Sequence, residues 1–233
     1  MSAIFKREFK AYFTSPVGYV ILAAFVLFSG LSFSSLYAAG SAEVYYVFSN
    51  LFLIVLCAVP ILTMRLMSED KRLKTDQVLL TSPVKLGAIV GGKFLAALAV
   101  LAISLSITIV YQLIVSFYVA ADWMVFISNL LGILLLGAAL IAIGLFISSL
   151  TESQVVAAIG SLAVSLFLFM MDSLSQFVTA AWFTKFITWV SFYSRYQAFV
   201  NGILDYSNMV YFLSITVVFL FFSVRVLEKR RWA

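Results

Sequence analysis

Apolar positions along the chain do not alternate with polar ones. They gather into six long runs, Val17 to Ala39, Val44 to Met67, Phe94 to Ala120, Trp123 to Leu150, Gln154 to Met171 and Asn208 to Leu227. A helix that crosses a bilayer needs about 20 predominantly apolar residues, and each run is close to that length or beyond it. The pattern predicts an all-α integral membrane protein with six transmembrane helices. Two connecting stretches are long. Residues 68–93 are charged, whereas 172–207 are too numerous for a turn and too apolar for a solvated loop. Phe177, Trp182, Phe183, Phe186, Ile187, Trp189 and Val190 in the latter predict short re-entrant helices in the outer leaflet, which are tolerated where protein covers their ends. A seventh and eighth span are the alternative, but Lys185 and Arg195 break the segment.

The basic residues orient this arrangement. Lys6, Arg7 and Lys10 precede the first span. Arg65, Lys71, Arg72, Lys74, Lys85 and Lys93 lie between the second and third, and Arg225, Lys229, Arg230 and Arg231 close the chain. With six spans all of these fall on one side, and only Lys185 and Arg195 fall on the other. The positive-inside rule then places both termini and the loop 68–93 in the cytoplasm, with Glu43, Asp122 and Lys185 outside. Trp123, Trp182, Trp189 and Trp232, with Tyr45 and Tyr46, sit near span ends as interfacial anchors. Within residues 1–16, Ile4, Phe5, Phe9, Tyr12 and Phe13 occupy one half of a helical wheel and Lys6, Arg7 and Lys10 the other. That segregation predicts an amphipathic helix in the cytoplasmic interface, ended by Ser15-Pro16, with Pro16 opening the next helix.

Composition narrows the chemistry. The chain has 233 residues, 64% hydrophobic and 11% charged, against roughly 25% charged in a soluble domain. It has one cysteine, Cys57, and no histidine, so no disulfide framework, metal site or His-based centre is expected, and nucleic acid is a poor match for the charge pattern. The first apolar run is too long for the h-region of a cleavable signal, and none is expected. Gly87 to Lys93 fits the first seven positions of a phosphate-binding loop, but the eighth is Phe94 where Ser or Thr must hold magnesium. No strand precedes it, so the chain is expected to bind no ATP or other cofactor of its own. Its small residues read as close packing, with Lys93 snorkelling to the headgroups.

The acids lie at span ends or in loops, which leaves no carboxylate relay for a proton-coupled secondary carrier. Mild polarity does occur: Ser104, Thr108, Tyr111, Gln112 and Ser116 share one face of the third span, as a substrate path or as bonds that hold the bundle. Gly137, Ala138, Ala142, Gly144 and Ser148 read as packing positions in the fourth span, and Pro60 as a kink in the second. The loop after the second span combines Glu69, Asp70, Lys71 and Thr75 with an apolar cluster, Val78, Leu79 and Leu80, before Thr81-Ser82-Pro83. An apolar cluster on a charged loop is buried either in the membrane interface or by a partner protein. Thr151 and Glu152 lie in the short link between the fourth and fifth spans, where Thr151 or Ser153 is suited to cap the following helix.

Several stretches together resemble the ABC-2 type transporter permeases, and within them the gliding-motility permease group. These are the basic N-terminal helix, Glu69 to Thr75 with Val78 to Pro83 and Gly92-Lys93, the run Gly144 to Gln154, and the ending from Gly202 through Tyr211 to Trp232. The resemblance covers essentially the whole chain. It implies a permease that pairs with a second copy or a paralogue and docks two copies of a separate cytoplasmic ATPase, which binds the ATP and Mg. It further implies that Glu69, Asp70, Lys71, Thr75, Val78, Leu79, Leu80 and Pro83 form a coupling helix, that Thr151 and Glu152 form a second contact, and that short re-entrant helices precede the last span. The short extracytoplasmic loops imply that any large recognition domain belongs to an auxiliary subunit. A membrane scaffold for a motility or surface-assembly machine is the alternative function, and a secondary carrier a weaker one.

Overall fold

The computed structural model describes residues 1–41, 43–75, 84–120, 122–175 and 191–232. Among them there are helices and no strands, and six stretches of helix are long and apolar enough to cross a membrane. The chain opens with α1 (Ser2–Thr14), turns at Ser15 and enters α2 (Pro16–Ala38). Ser15 is extended, as a residue before proline prefers, and Pro16 occupies the first turn of α2, where no helical acceptor is lost. The elbow is tight: a Cβ on Gly18 would lie 2.5 Å from the Tyr12 carbonyl oxygen.

The second span is α3 (Tyr45–Thr63), continued after a break at Met64 by α4 (Arg65–Arg72). Pro60 lies within α3, and the Thr63 hydroxyl donates to the carbonyls of Val59 (3.0 Å) and Pro60 (3.4 Å). Such side-chain bonds compete with the helical ladder and bend it. The third span is α5 (Leu86–Leu105) and α6 (Ile107–Tyr118), interrupted at Ser106 where the hydroxyls of Ser106 and Thr108 each donate, at 2.7 Å, to a carbonyl three residues back. The remaining spans are α7 (Trp123–Leu150), α8 (Gln154–Ser175) and α10 (Tyr206–Trp232), with the short α9 (Phe192–Val200) between the last two. Asp122 starts α7 by accepting from the amides of Met124 (3.0 Å) and Val125 (3.3 Å), an N-cap at the positive end of the helix dipole.

The helix α7 is the axis of the bundle, 67% buried over its most apolar stretch, against 22% for α2, 17% for α8 and 22% for α10. Its glycines face neighbours that leave no room for a side chain. A Cβ at Gly132 would meet the Phe199 ring of α9, one at Gly137 the Leu101 side chain of α5, and one at Gly144 the Thr63 hydroxyl of α3. Without a hydrophobic force between helices in lipid, this close approach and the dispersion contacts it permits are what hold spans together.

Helical structure overruns the expected loop 68–93 from both ends, since α4 extends to Arg72 and α5 begins at Leu86. The early start of α5 has a packing reason: α1 lies across it, with Ile4 and the Met1 carbonyl 3.0 and 3.3 Å from where a Gly92 Cβ would be. The apolar side of α1 is turned onto the bundle. Tyr12 is buried, Phe5, Phe9 and Phe13 pack against the core, and Lys6 and Lys10 are exposed. Of the stretch 172–207, α9 is buried through Phe192, Tyr196, Phe199 and Val200. The aromatic positions from Phe177 to Val190 lie outside the described residues.

Candidate coupling site

At the end of the bundle where α3, α4, α5 and α7 meet α1, charges are paired inside the protein. The Lys93 side chain is 2% exposed, and its ammonium lies 2.6 Å from Asp70 Oδ2 and 3.0 Å from Glu8 Oε1. It also donates to the Leu66 carbonyl at 2.5 Å. Lys93 therefore does not snorkel to the headgroups; an internal carboxylate pair holds it more closely than water would. Arg7 completes the group, 2.5 Å from Glu8 and 3.6 Å from Asp70. Two acids and two bases from α1, α4 and α5 thus cancel. A buried charge is tolerated on just this condition, being paired and hydrogen-bonded.

The start of α4 is secured by its neighbours. Breaking the helix at Met64 orphans the first amides of α4, and Ser148 of α7 supplies the acceptor in trans. Its Oγ receives the amides of Met67 and Ser68, both at 3.1 Å, and donates to the Met64 carbonyl at 3.1 Å. Arg65 holds Glu69 through both carboxylate oxygens (2.8 and 3.3 Å) and donates to Ser15 Oγ at 2.6 Å, tying α4 to the α1–α2 elbow. The Tyr12 hydroxyl donates to the Leu62 carbonyl at 2.8 Å. Burial pushes that phenol above its ordinary range, so it stays a neutral donor.

The residues expected to couple separate into two groups. Glu69 and Asp70 are engaged as above. Lys71 is turned inward, 6% exposed, and donates to the carbonyl of Ser149, one of the orphan acceptors ending α7. Thr75 folds back on Asp70, donating to its Oδ1 at 2.9 Å and its carbonyl at 3.3 Å. Arg72, Leu73 and Lys74 are exposed. Lys74 takes φ +57°, the left-handed conformation that stops helices, here at the expense of a non-glycine residue. Val78, Leu79, Leu80 and Pro83 lie outside the described residues. Lys71 and Ser148 bring α4 against the end of α7, so Thr151 and Glu152 share this end of the bundle. Thr151 Oγ1 accepts from the Ser153 amide (3.2 Å), and Ser153 caps α8 through the Val156 amide (3.4 Å). Glu152 precedes that cap, is 68% exposed along its side chain, and lies 3.4 Å from Arg230 of α10.

The polar face of the third span is mostly buried. Ser104 and Thr108 bond to carbonyls of their own span, and so does the half-buried Ser116. Tyr111 meets Ser29 of α2 at 3.1 Å, and Gln112 donates to the Asp122 carbonyl at 3.4 Å. Glu8, Ser148 and the internal role of Lys93 were not expected from the sequence. A signal for the first and last existed: Glu8 is the one acid in a basic helix, and Lys93 follows Gly91-Gly92 at the start of a long apolar run, where a charge needs a partner.

Six apolar spans, packed about the small residues of α7, define a multi-pass helical membrane protein. The chain matches the family described as ABC-2 family transporter protein over residues 2–232, and it belongs to that family. It is a transmembrane subunit of the ABC transporter class, whose members work with a partner ATPase subunit. No curated protein matches the chain.

Proposed function

We propose that this chain is the permease of an ABC transporter in a bacterial cytoplasmic membrane, of the gliding-motility group, with both termini cytoplasmic. Two copies of a separate ATPase dock on a pair of permeases and drive export or extraction of a substrate. The observation that carries the reading is the linkage of α4. Its exposed end leads directly into the apolar cluster at Val78 to Leu80. Its body is tied to α1 and α5 through Lys93 and to α7 through Ser148 and Lys71. A partner that grips residues 73–83 and moves as a rigid body would therefore displace four helices together, and packed helices shift as units rather than deforming. The α1 charges Lys6 and Lys10 suit an anionic membrane surface. Ser104, Thr108, Tyr111 and Gln112 are read as packing residues, since each is buried with a protein partner.

Orientation is tested by cysteine labelling in a Cys57→Ser background. Because Lys71 is buried, the cytoplasmic probe position is Lys74. Lys74→Cys should react with an impermeant reagent only after the membrane is opened, and Glu43→Cys should react from outside. Labelling of Lys74→Cys in intact cells would reverse the topology. Coupling is tested at Glu152. Glu152→Ala removes an exposed charge that caps nothing, so folding stability should change by no more than about 0.5 kcal/mol. ATP turnover of the assembled complex should nevertheless fall if the link contacts the ATPase, and unchanged turnover would confine Glu152 to its Arg230 contact.

A further inference from the structure

At the opposite end of the bundle, where α3 begins, α6 ends and α7 begins, the chain forms an open pocket of about 260 Å³, two of whose lining residues, Glu43 and Asp122, are exposed. Its walls include the rings of Phe48 and Phe126, edge to face at 5.6 Å, and its polar lining comes from Glu43, Tyr45, Gln112, Asp122 and Asn129. The polar groups are unbalanced. Gln112 spends its amide nitrogen on the Asp122 carbonyl, and Asn129 spends its own on the carbonyls of Val125 (2.8 Å) and Val200 (3.3 Å). Asn129 is 1% exposed, and its Oδ1 has no hydrogen-bond partner among the described residues. Leaving a buried acceptor unpaired costs about 1 to 3 kcal/mol, in a wall that also carries two carboxylates. No Lys or Arg is among the described residues that line the cavity. Tyr45 bonds Glu43, and Asp122 Oδ1 accepts the amides of Met124 and Val125, so what is left over is the Asn129 oxygen and the remaining carboxylate lone pairs, beside aromatic rings.

We propose that this cavity is a binding site for a primary ammonium group. An –NH₃⁺ brings three donors and no acceptor, which complements Asn129 Oδ1 and the carboxylates of Glu43 and Asp122, while the rings of Phe48 and Phe126 wall the pocket. A quaternary ammonium has the charge but no N–H for Asn129. A hard divalent ion would need six or more oxygen ligands, and no group of three or more Asp, Glu, His or Cys able to hold a metal occurs among the described residues. The volume is below the 300 to 1,000 Å³ usual for drug-sized ligands and suits a small headgroup. The ammonium could belong to a phospholipid headgroup or to a free amine. The site is independent of the coupling reading, because it lies at the other end of the bundle and uses none of the same residues.

The test uses the full-length protein in phosphatidylcholine nanodiscs, titrated calorimetrically with ethanolamine and with choline, and its thermal midpoint in discs that contain phosphatidylethanolamine. Saturable ethanolamine binding, with choline at least tenfold weaker, supports a free amine. A raised midpoint in phosphatidylethanolamine without a response to free ethanolamine supports a lipid headgroup. The control is Glu43→Gln combined with Asp122→Asn, which removes both charges but keeps an oxygen to cap α7. It should weaken ethanolamine binding at least tenfold, or abolish the lipid-dependent shift. Equal binding of choline, equal responses in the double variant, or no response to either source would mean a water-filled cavity and overturn the site.

Discussion

Replacing Lys93 by methionine should destabilise the detergent-solubilised protein by about 3 to 5 kcal/mol, the usual consequence of removing one partner of a buried ion pair. The substitution keeps an unbranched side chain of similar reach and removes the ammonium with its charge and its N–H donors. Glu8 and Asp70, with side chains 13% and 17% exposed, are then left to face each other with Arg7 alone between them, and that base is half exposed. The Leu66 carbonyl also loses a donor. A stability measurement in mixed micelles reads the loss directly. Combining Lys93→Met with Glu8→Gln and Asp70→Asn should recover part of it, because the two acids are then neutral and Arg7, half exposed, is hydrated without them. If Lys93→Met alone is as stable as the parent, the ammonium is solvated in the working protein and the cluster does not join α1, α4 and α5.

Leu79→Asp or Leu80→Asp should release the ATPase from the solubilised complex while leaving the permease monodisperse. Burying a leucine against a partner contributes roughly 1.5 to 3 kcal/mol, and each 1.4 kcal/mol is a factor of ten in affinity. Docking should therefore weaken about tenfold or more. Leu73→Asp is the companion variant: this leucine is 59% exposed at the end of α4 and has no role in the described core. Pull-down of the ATPase and its turnover on the variant complexes give the readout. If the Leu79 and Leu80 substitutions leave affinity and turnover unaltered, the apolar cluster is a membrane anchor, and the power stroke enters elsewhere, with Glu152 the next residue to examine. The two experiments differ in what fails, since loss of Lys93 unfolds the linkage and loss of the leucines disconnects the motor from an intact permease.

The number of spans was legible in the sequence, because length and apolarity are what a bilayer demands of any helix and the demand acts locally. The Pro16 start of α2 and the Ser153 cap before α8 were legible for the same reason: each depends on residues within one turn. The paths of the polar side chains were not. Lipid tails and protein core are equally apolar, so the hydrophobic pattern of a span does not say which side faces a neighbour. That choice is made by packing. Lys93 looked like a snorkelling lysine until α1, 85 residues earlier, placed Glu8 beside it and α4 supplied Asp70. Lys71 and Asp70 are adjacent in a charged stretch that reads as solvated, yet one turns to the Ser149 carbonyl and the other to Lys93, because the break at Met64 sets α4 against both α5 and α7. Ser148, read as one more small packing residue, became the cap of a helix 80 residues away, since that same break left the amides of Met67 and Ser68 without acceptors and α7 was the nearest element that could answer them.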